Sequence, residues 1–323
     1  MVLFDSKRDG MQRQVEPSIE LIQEICRKEL SHSAQDINAI VGQGMSNKVY
    51  RLCLASGERF ILRLCDKAAA TNPAAKYDKE IWCLNFLRRC EAFRVPAPLG
   101  RGSSGSYEYM LEEHIEGTPG NLKGGEQLEI WQRLGACAAI FNALPVTGYG
   151  EHVDLSAGGG FTATWLQVVE QGLGVIFRDE YWESSGACTA KELADVVLAF
   201  ESLRTLNAPA GLVHIDLAPK NCIIEPGNRG IALIDWEMVE GGPTPYSQLA
   251  AVAGWWGVDS DIYRSFSKGY ESVVGSVKGT EEVVRVLATL NSMHSVRWAQ
   301  ENSADLVSEY TKSASWMIRA LGS

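Results

Sequence analysis

Leu212-Val213-His214-Ile215-Asp216-Leu217-Ala218-Pro219-Lys220-Asn221-Cys222-Ile223-Ile224, followed across a turn by Ile231-Ala232-Leu233-Ile234-Asp235-Trp236-Glu237, holds the densest polar information in this 323-residue chain. Two apolar runs, Cys222 to Ile224 and Ile231 to Ile234, flank Pro226-Gly227-Asn228, a pattern that predicts a small hairpin. Asn221 stands five positions after Asp216, and Asp235 fourteen after Asn221. Phosphoryl transfer needs one carboxylate to orient and deprotonate the attacking hydroxyl, and oxygen ligands for a divalent cation beside the triphosphate. An Asp, an Asn and a second Asp on adjacent loops supply all three. An isolated His-x-Asp is uninformative, since Asp216 capping a turn that Asn221 closes explains it equally well. The hairpin, the downstream Ile-Asp-Trp-Glu and the β-rich segment ahead lift the stretch above that explanation.

Working upstream, Pro17-Ser18 opens a predicted helix with Ile19, Ile22, Ile25 and Leu30 on one face. A short strand from Ile37 to Val41 meets the loop Gly42-Gln43-Gly44-Met45-Ser46-Asn47. Val49 to Leu54 and Arg59 to Leu64 then read as a strand pair about the turn Ser56-Gly57. Lys76 to Arg89 reads as a helix, Gly102 to Gly105 as a hairpin tip, and Tyr107 to Ile115 as a strand. From about residue 124 the texture is mainly helical: Glu126 to Leu144, Thr164 to Leu173, Thr189 to Leu206 and several stretches after Tyr246, interrupted by the hairpin of Leu212 to Asp235. The expected organisation is α+β and bilobal. An N-terminal lobe over residues 1–113 carries an antiparallel sheet and a helix, and a helical lobe over residues 114–323 carries the catalytic loop.

Composition excludes other classes. Hydrophobic residues make up 46% of the chain, too many for a largely disordered one. No apolar run reaches the roughly 18 residues of a membrane span, and Met1 to Arg8 places Asp5, Ser6, Lys7 and Arg8 where a signal peptide needs apolar residues. A cytoplasmic protein without a membrane partner is expected. The net charge of −10, with no basic tract, argues against nucleic acid as a partner. The eight cysteines include no Cys-x-x-Cys pair and sit mostly in apolar periodic stretches, as reduced core thiols do. Neither a Gly-x-x-x-x-Gly-Lys-Ser/Thr loop, a Gly-x-Ser-x-Gly elbow nor a His-Glu-x-x-His helix occurs, and the five histidines are scattered.

From about Ile37 to Ala250 the chain resembles the superfamily of aminoglycoside phosphotransferases and choline/ethanolamine kinases, small-molecule kinases with a protein-kinase-like fold. The most specific part is the Leu212–Ile224 and Ile231–Glu237 pair. The opening Gly42-Gln43-Gly44-Met45-Ser46-Asn47 looks especially like the choline kinase side. The resemblance implies ATP and Mg²⁺ as cofactors, Asp216 as catalytic base, and Asn221 and Asp235 as metal ligands. It also implies adenine pairing to the backbone near Glu113 and Ile115. Arg63 stands where protein kinases carry a phosphate-binding lysine, and a planar guanidinium can bridge two phosphate oxygens. Glu80 on the following helix is its natural partner. Gly42, Gly44 and Ser46 are candidates for holding phosphates through backbone N–H groups and a hydroxyl.

The sequence also departs from that pattern. Thr244 and Gln248 stand where acids are expected before Leu249-Ala250, which marks a divergent branch. His214 is expected to brace the catalytic loop through a side-chain hydrogen bond. Ile234-Asp235-Trp236-Glu237 replaces the Asp-Phe-Gly of protein kinases and no Ala-Pro-Glu follows, so a protein substrate is not expected. For the small-molecule acceptor, Glu237, Trp255 and Trp256 are the candidate contacts. Tyr246 onward is rich in aromatics, beside Glu240, Asp259 and Asp261, and aromatic faces with carboxylates suit a cation. Trp255 and Trp256, adjacent on a helix, are expected to differ in burial, with one forming a pocket wall. The expected acceptor is therefore amine-bearing, an aminoglycoside-like antibiotic or an amino alcohol such as choline. Competing readings are a kinase of an uncharged sugar or nucleoside, nucleotidyl transfer to a protein, and an inactive nucleotide-binding scaffold.

Overall fold

The computed structural model describes residues 16–40, 47–68, 72–121, 126–177, 181–228 and 230–321. They fall into two compact units. One takes the described residues of Met1–Asn85 together with Pro96–Ile115, and the other takes Phe86–Val95 and the described residues of Glu116–Ser323.

The first unit begins with α1 (Ile19–Leu30), β1 (Ala34–Ile40), β2 (Lys48–Leu54) and β3 (Arg59–Asp66). Ser18 caps α1, its Oγ accepting from the Leu21 N–H at 3.2 Å, and Ser31 ends the helix in the left-handed region at φ 59°. After α2 (Pro73–Leu87) come β4 (Pro98–Ser104) and β5 (Tyr107–Glu113). The strands form an antiparallel sheet in the order β1-β2-β3-β5-β4. Alternation puts Tyr50 and Leu52 of β2, Leu62 and Leu64 of β3, and Tyr107, Tyr109 and Leu111 of β5 on one face. Ile22, Ile25 and Cys26 of α1 close that face, joining the same buried cluster. Tyr109 ties the helix down further, with Lys28 Nζ donating to its hydroxyl at 2.7 Å.

The second unit holds β6 (Thr118–Pro119), α3 (Glu126–Asn142), β7 (Tyr149–Val153), β8 (Phe161–Ala163), α4 (Trp165–Phe177), α5 (Tyr181–Ser184) and α6 (Ala190–Ser202). It continues with β9 (Ala210–His214), β10 (Cys222–Ile224), β11 (Ile231–Leu233) and β12 (Val239–Pro243). The chain then closes with α7 (Tyr246–Trp256), α8 (Asp261–Val274), α9 (Glu281–Asn302) and α10 (Ala304–Leu321). Thr189 and Glu192 form a capping box at the start of α6. The α3 and α8 helices cross where Gly135 lies against the backbone of Phe266 and Gly269 against that of Gln132, so a side chain at either glycine would strike main chain.

The predicted hairpin is present: β10 pairs with β11 (Cys222↔Leu233, Ile224↔Ile231), and β6 adds a third strand. The rest of the second unit is mainly helical as expected, with one further sheet, β8-β7-β12-β9, that the sequence did not signal. Its strands are short and carry little alternation, and Gly241 of β12 lies directly under the Phe161 ring. Residues 86–95 also side with the second unit. Arg94 accepts from Leu233 N–H at 2.8 Å and donates to the Ile231 carbonyl at 3.2 Å, flanking β11. Behind it, Phe93, Phe141, Trp236 and His214 form a chain of ring contacts with centroids 6.1, 5.2 and 4.5 Å apart. Among the described residues no helix is long and apolar enough to cross a membrane.

Candidate active site

β9 ends at His214, and a turn closed by Leu217 N–H on the His214 carbonyl (3.1 Å) projects Asp216. Pro219 then opens a single 3₁₀ turn over Pro219–Asn221, whose fixed φ returns the chain toward Asp216. The Asn221 side chain closes the loop, its Nδ2 donating to the Asp216 carbonyl at 2.8 Å and to Oδ2 at 2.9 Å. Lys220 Nζ stands 2.8 Å from the same Oδ2. Asp216 is half-buried and Asn221 is buried.

The hairpin brings the second acid to this loop. Ile234 N–H donates to the Asn221 carbonyl at 3.0 Å, so the residue before Asp235 is bonded to the Asn221 backbone. Asp235 itself takes the left-handed conformation (φ 63°, ψ 61°), one that Asp tolerates better than most residues. His214 is fully buried and its Nε2 lies 3.2 Å from the Ile234 carbonyl. The imidazole therefore links the end of β9 to the segment carrying Asp235, the bracing role expected of it. Burial pushes the His214 pKa below its ordinary value, while the Ile234 hydrogen bond and the carboxylates of Asp216 and Asp235 act the other way. Both acids and Lys220 thus lie within electrostatic reach of one buried ring.

These residues fit a hard divalent cation. Asn221 commits its amide nitrogen to Asp216, which leaves Oδ1 as its ligand atom. Asp235 adds a carboxylate, and Mg²⁺ is commonly held by one or two protein oxygens together with substrate phosphates. No cluster of three or more His, Cys, Asp or Glu suited to a metal occurs among the described residues.

In the first unit, Arg63 on β3 and Glu80 on α2 meet as expected: Nη1 to Oε1 is 2.5 Å, with the residues 5% and 1% exposed. The Arg63 guanidinium also lies over the Tyr77 ring, 5.8 Å from its centroid. Glu113 ends β5, its N–H donating to the Ala97 carbonyl at 2.9 Å and its side chain accepting from the Ala97 N–H at 3.2 Å. That N–H is therefore committed to Ala97, and the segment runs on to the buried Ile115. Gly42, Gly44 and Ser46 lie outside the described residues.

The acceptor candidates are rearranged. Trp255 and Trp256 do not differ in burial: both are 51% exposed. They lie at the C-terminal end of α7, where Gly257 ends the helix. Their partners separate them instead. Trp256 meets the buried Trp131 of α3 edge-on at 6.3 Å, while Trp255 meets Tyr310 of α10 at 5.3 Å. Burial chiefly raises the Tyr310 pKa, with the charges of Glu309 and then Asp216 adding to it. Glu237 is half-buried in the 3₁₀ turn Trp236–Met238. Tyr263 and Tyr270 are core, and Asp259 and Asp261 are engaged by Arg285 (3.7 Å) and Arg264 (2.7 Å).

Sequence reasoning passed over three residues. Lys220 sits inside the quoted motif, and its i,i+4 spacing from Asp216 was the available signal. Gln248 is visible as a departure from the acid expected there, but its contact with His214 spans 34 residues. Tyr310 carries no local signal at all.

Comparisons with known proteins bear on the family and the fold. The model of the phosphotransferase enzyme family matches residues 39–271. No curated protein matches the chain. Among solved structures, a thermostable mutant of aminoglycoside phosphotransferase APH(4)-Ia, in ternary complex with AMP-PNP and hygromycin B, is similar with a TM-score of 0.69 at 16% identity, over 94% of this chain and 99% of that one. The GDP and kanamycin complex of APH(2")-IIia is similar at 0.62 and 13%, over 93% and 98%. Macrolide 2'-phosphotransferase MphH from Brachybacterium faecium gives 0.61 and 14%, over 93% and 97%.

Proposed function

Because the chain belongs to the phosphotransferase enzyme family, we propose that it transfers the γ-phosphoryl group of ATP to a hydroxyl of a small, amine-bearing molecule, with Mg²⁺ as cofactor. The observation that carries this reading is the loop in which Asn221 Nδ2 holds the Asp216 carboxylate at 2.9 Å while the Asn221 carbonyl receives the N–H of the residue before Asp235. Asp216 accepts the proton of the acceptor hydroxyl, whose oxygen bonds to the γ-phosphorus as the bond to ADP breaks. Asn221 Oδ1 and the Asp235 carboxylate hold the cation, which when bound offsets charge on the transferred group. Arg63, oriented by Glu80, contacts nucleotide phosphates, with Gly42, Gly44 and Ser46 contributing donors. The segment from Glu113 to Ile115 receives the adenine. Eight free thiols, six of them buried, suit a reducing compartment such as the cytoplasm.

The amine on the acceptor is supported by the net charge of −10 and by the Trp255–Tyr310 pair, whose tyrosine feels the Asp216 charge. Aromatic faces attract ammonium groups by about 0.5–2 kcal/mol. Hygromycin B and kanamycin are the molecules bound in two of the similar structures. Asp259 and Asp261 contribute little, since arginines already engage them. An inactive scaffold is disfavoured because Asp216, Asn221, Asp235 and the Arg63–Glu80 pair are all present.

Incubation with Mg-ATP and a panel of aminoglycosides, amino alcohols, sugars and nucleosides, followed by mass spectrometry, tests the reading. One acceptor class should gain the mass of a phosphoryl group, with a KM that rises with ionic strength and with Trp255→Ala more than with Trp256→Ala. Efficient phosphorylation of an uncharged sugar or nucleoside without salt dependence would leave the kinase and remove the amine. No transfer to any acceptor, beside intact nucleotide binding, would favour the scaffold.

A further inference from the structure

Asp216 presents two carboxylate oxygens, and the structure treats them unequally. Oδ2 is held twice, by Asn221 Nδ2 at 2.9 Å and by Lys220 Nζ at 2.8 Å. Oδ1 has no partner among the described residues. The Pro219-led turn makes this possible, because it folds residue 220 back over residue 216. The Lys220 side chain is 60% exposed, and an exposed pair of this kind adds little to stability. A long, flexible lysine held over the one carboxylate that faces the chemistry calls for another account.

We propose that Lys220 is a positioning residue that clamps Oδ2 of Asp216, so that Oδ1 alone meets the acceptor hydroxyl. A carboxylate free to rotate spends part of its time with neither oxygen aligned, and misalignment of a general base by an ångström is costly in rate. Asn221 gives Oδ2 a single neutral donor, its Nδ2. Lys220 supplies a second, charged donor from the solvent side, and charge-assisted contacts are the stronger kind. The role rests on Asp216 being the base.

The test follows phosphate release from Mg-ATP with water as acceptor, beside calorimetric binding of Mg-ADP and thermal unfolding. Lys220→Met should lower kcat about tenfold, on the scale of a misplaced base, while KM for Mg-ATP, Mg-ADP affinity and unfolding temperature stay near those of the parent. Lys220→Arg should recover most of the loss. In combination with Asp216→Asn, Lys220→Met should cost nothing further, because a residue acting only through Asp216 has nothing left to position. Parent-like turnover in Lys220→Met, losses that multiply in the double variant, or Mg-ADP affinity falling in step with kcat would each overturn the proposal. Full turnover in Asp216→Asn alone is a different failure, and it removes the assignment of the base beneath it.

Discussion

Gln248 grips the backbone of His214 from both sides: its Oε1 accepts the His214 N–H at 2.9 Å and its Nε2 donates to the His214 carbonyl at 3.2 Å, with both residues fully buried. An ionised acid at this position can only accept, so the amide does what a carboxylate cannot. Gln248→Glu should bury a charge and leave the His214 carbonyl only its Leu217 N–H donor, and Gln248→Leu should strand the His214 N–H. Each unsatisfied group costs about 1–3 kcal/mol, read as a lower denaturation midpoint, with turnover falling in both variants.

Asp216→Asn keeps shape but loses the proton acceptor. Turnover should drop at least ~100-fold, the scale of general-base contributions, with nucleotide affinity nearly unchanged by calorimetry. Near-normal turnover would remove Asp216 from that role.

Asp235→Ala removes a charged oxygen rather than a base. Mg-ATP affinity should weaken about tenfold or more, since even residues behind metal ligands carry effects of that order. Unchanged Mg-ATP affinity in a titration would refute the metal assignment and leave the fold assignment standing.

Arg63→Met leaves the buried Glu80 without the guanidinium that compensates its charge. Breaking a buried pair from one side typically costs about 3–5 kcal/mol. The double variant with Glu80→Gln should recover much of that stability in chemical denaturation while nucleotide affinity stays low. Recovery of both together would count against a phosphate-binding role for Arg63.

His214 is buried neutral, with its folded pKa held below the ordinary 6.5. Near pH 6.5 and somewhat below, the unfolded chain takes up a proton that the folded chain refuses. Stability is therefore complete above about pH 6.5 and is lost as pH falls from there toward the folded value. The unfolding temperature should decline between pH 7.5 and 5.5, and His214→Phe, though less stable overall, should decline less steeply. Parallel slopes would place the titration elsewhere.

The sequence by itself determined what short-range chemistry controls. Apolar runs about Pro226-Gly227-Asn228 specify the β10–β11 hairpin, and with it the approach of Asp235 to Asn221, because register across a short turn leaves little freedom. Ser18 and the Thr189–Glu192 box specify helix starts through their own caps. Arg63 and Glu80 could be paired in advance through the family resemblance, which implies a cation on this strand and an acid on the next helix. Tertiary structure decided what depends on partners far away in the chain. Strands of three to five residues such as β7, β8 and β12 have too few side chains to show a period, and glycines at 148, 241 and 242 are there for close packing against Phe161 and Ser247. Residues 86–95 joined the second unit through hydrogen bonds to β11, which no local pattern encodes. Trp255 and Trp256 share one helix and one exposure, and only their neighbours, Tyr310 for one and Trp131 for the other, tell them apart. Such contacts form between side chains that the fold alone brings together, so they leave no periodicity in the sequence to read.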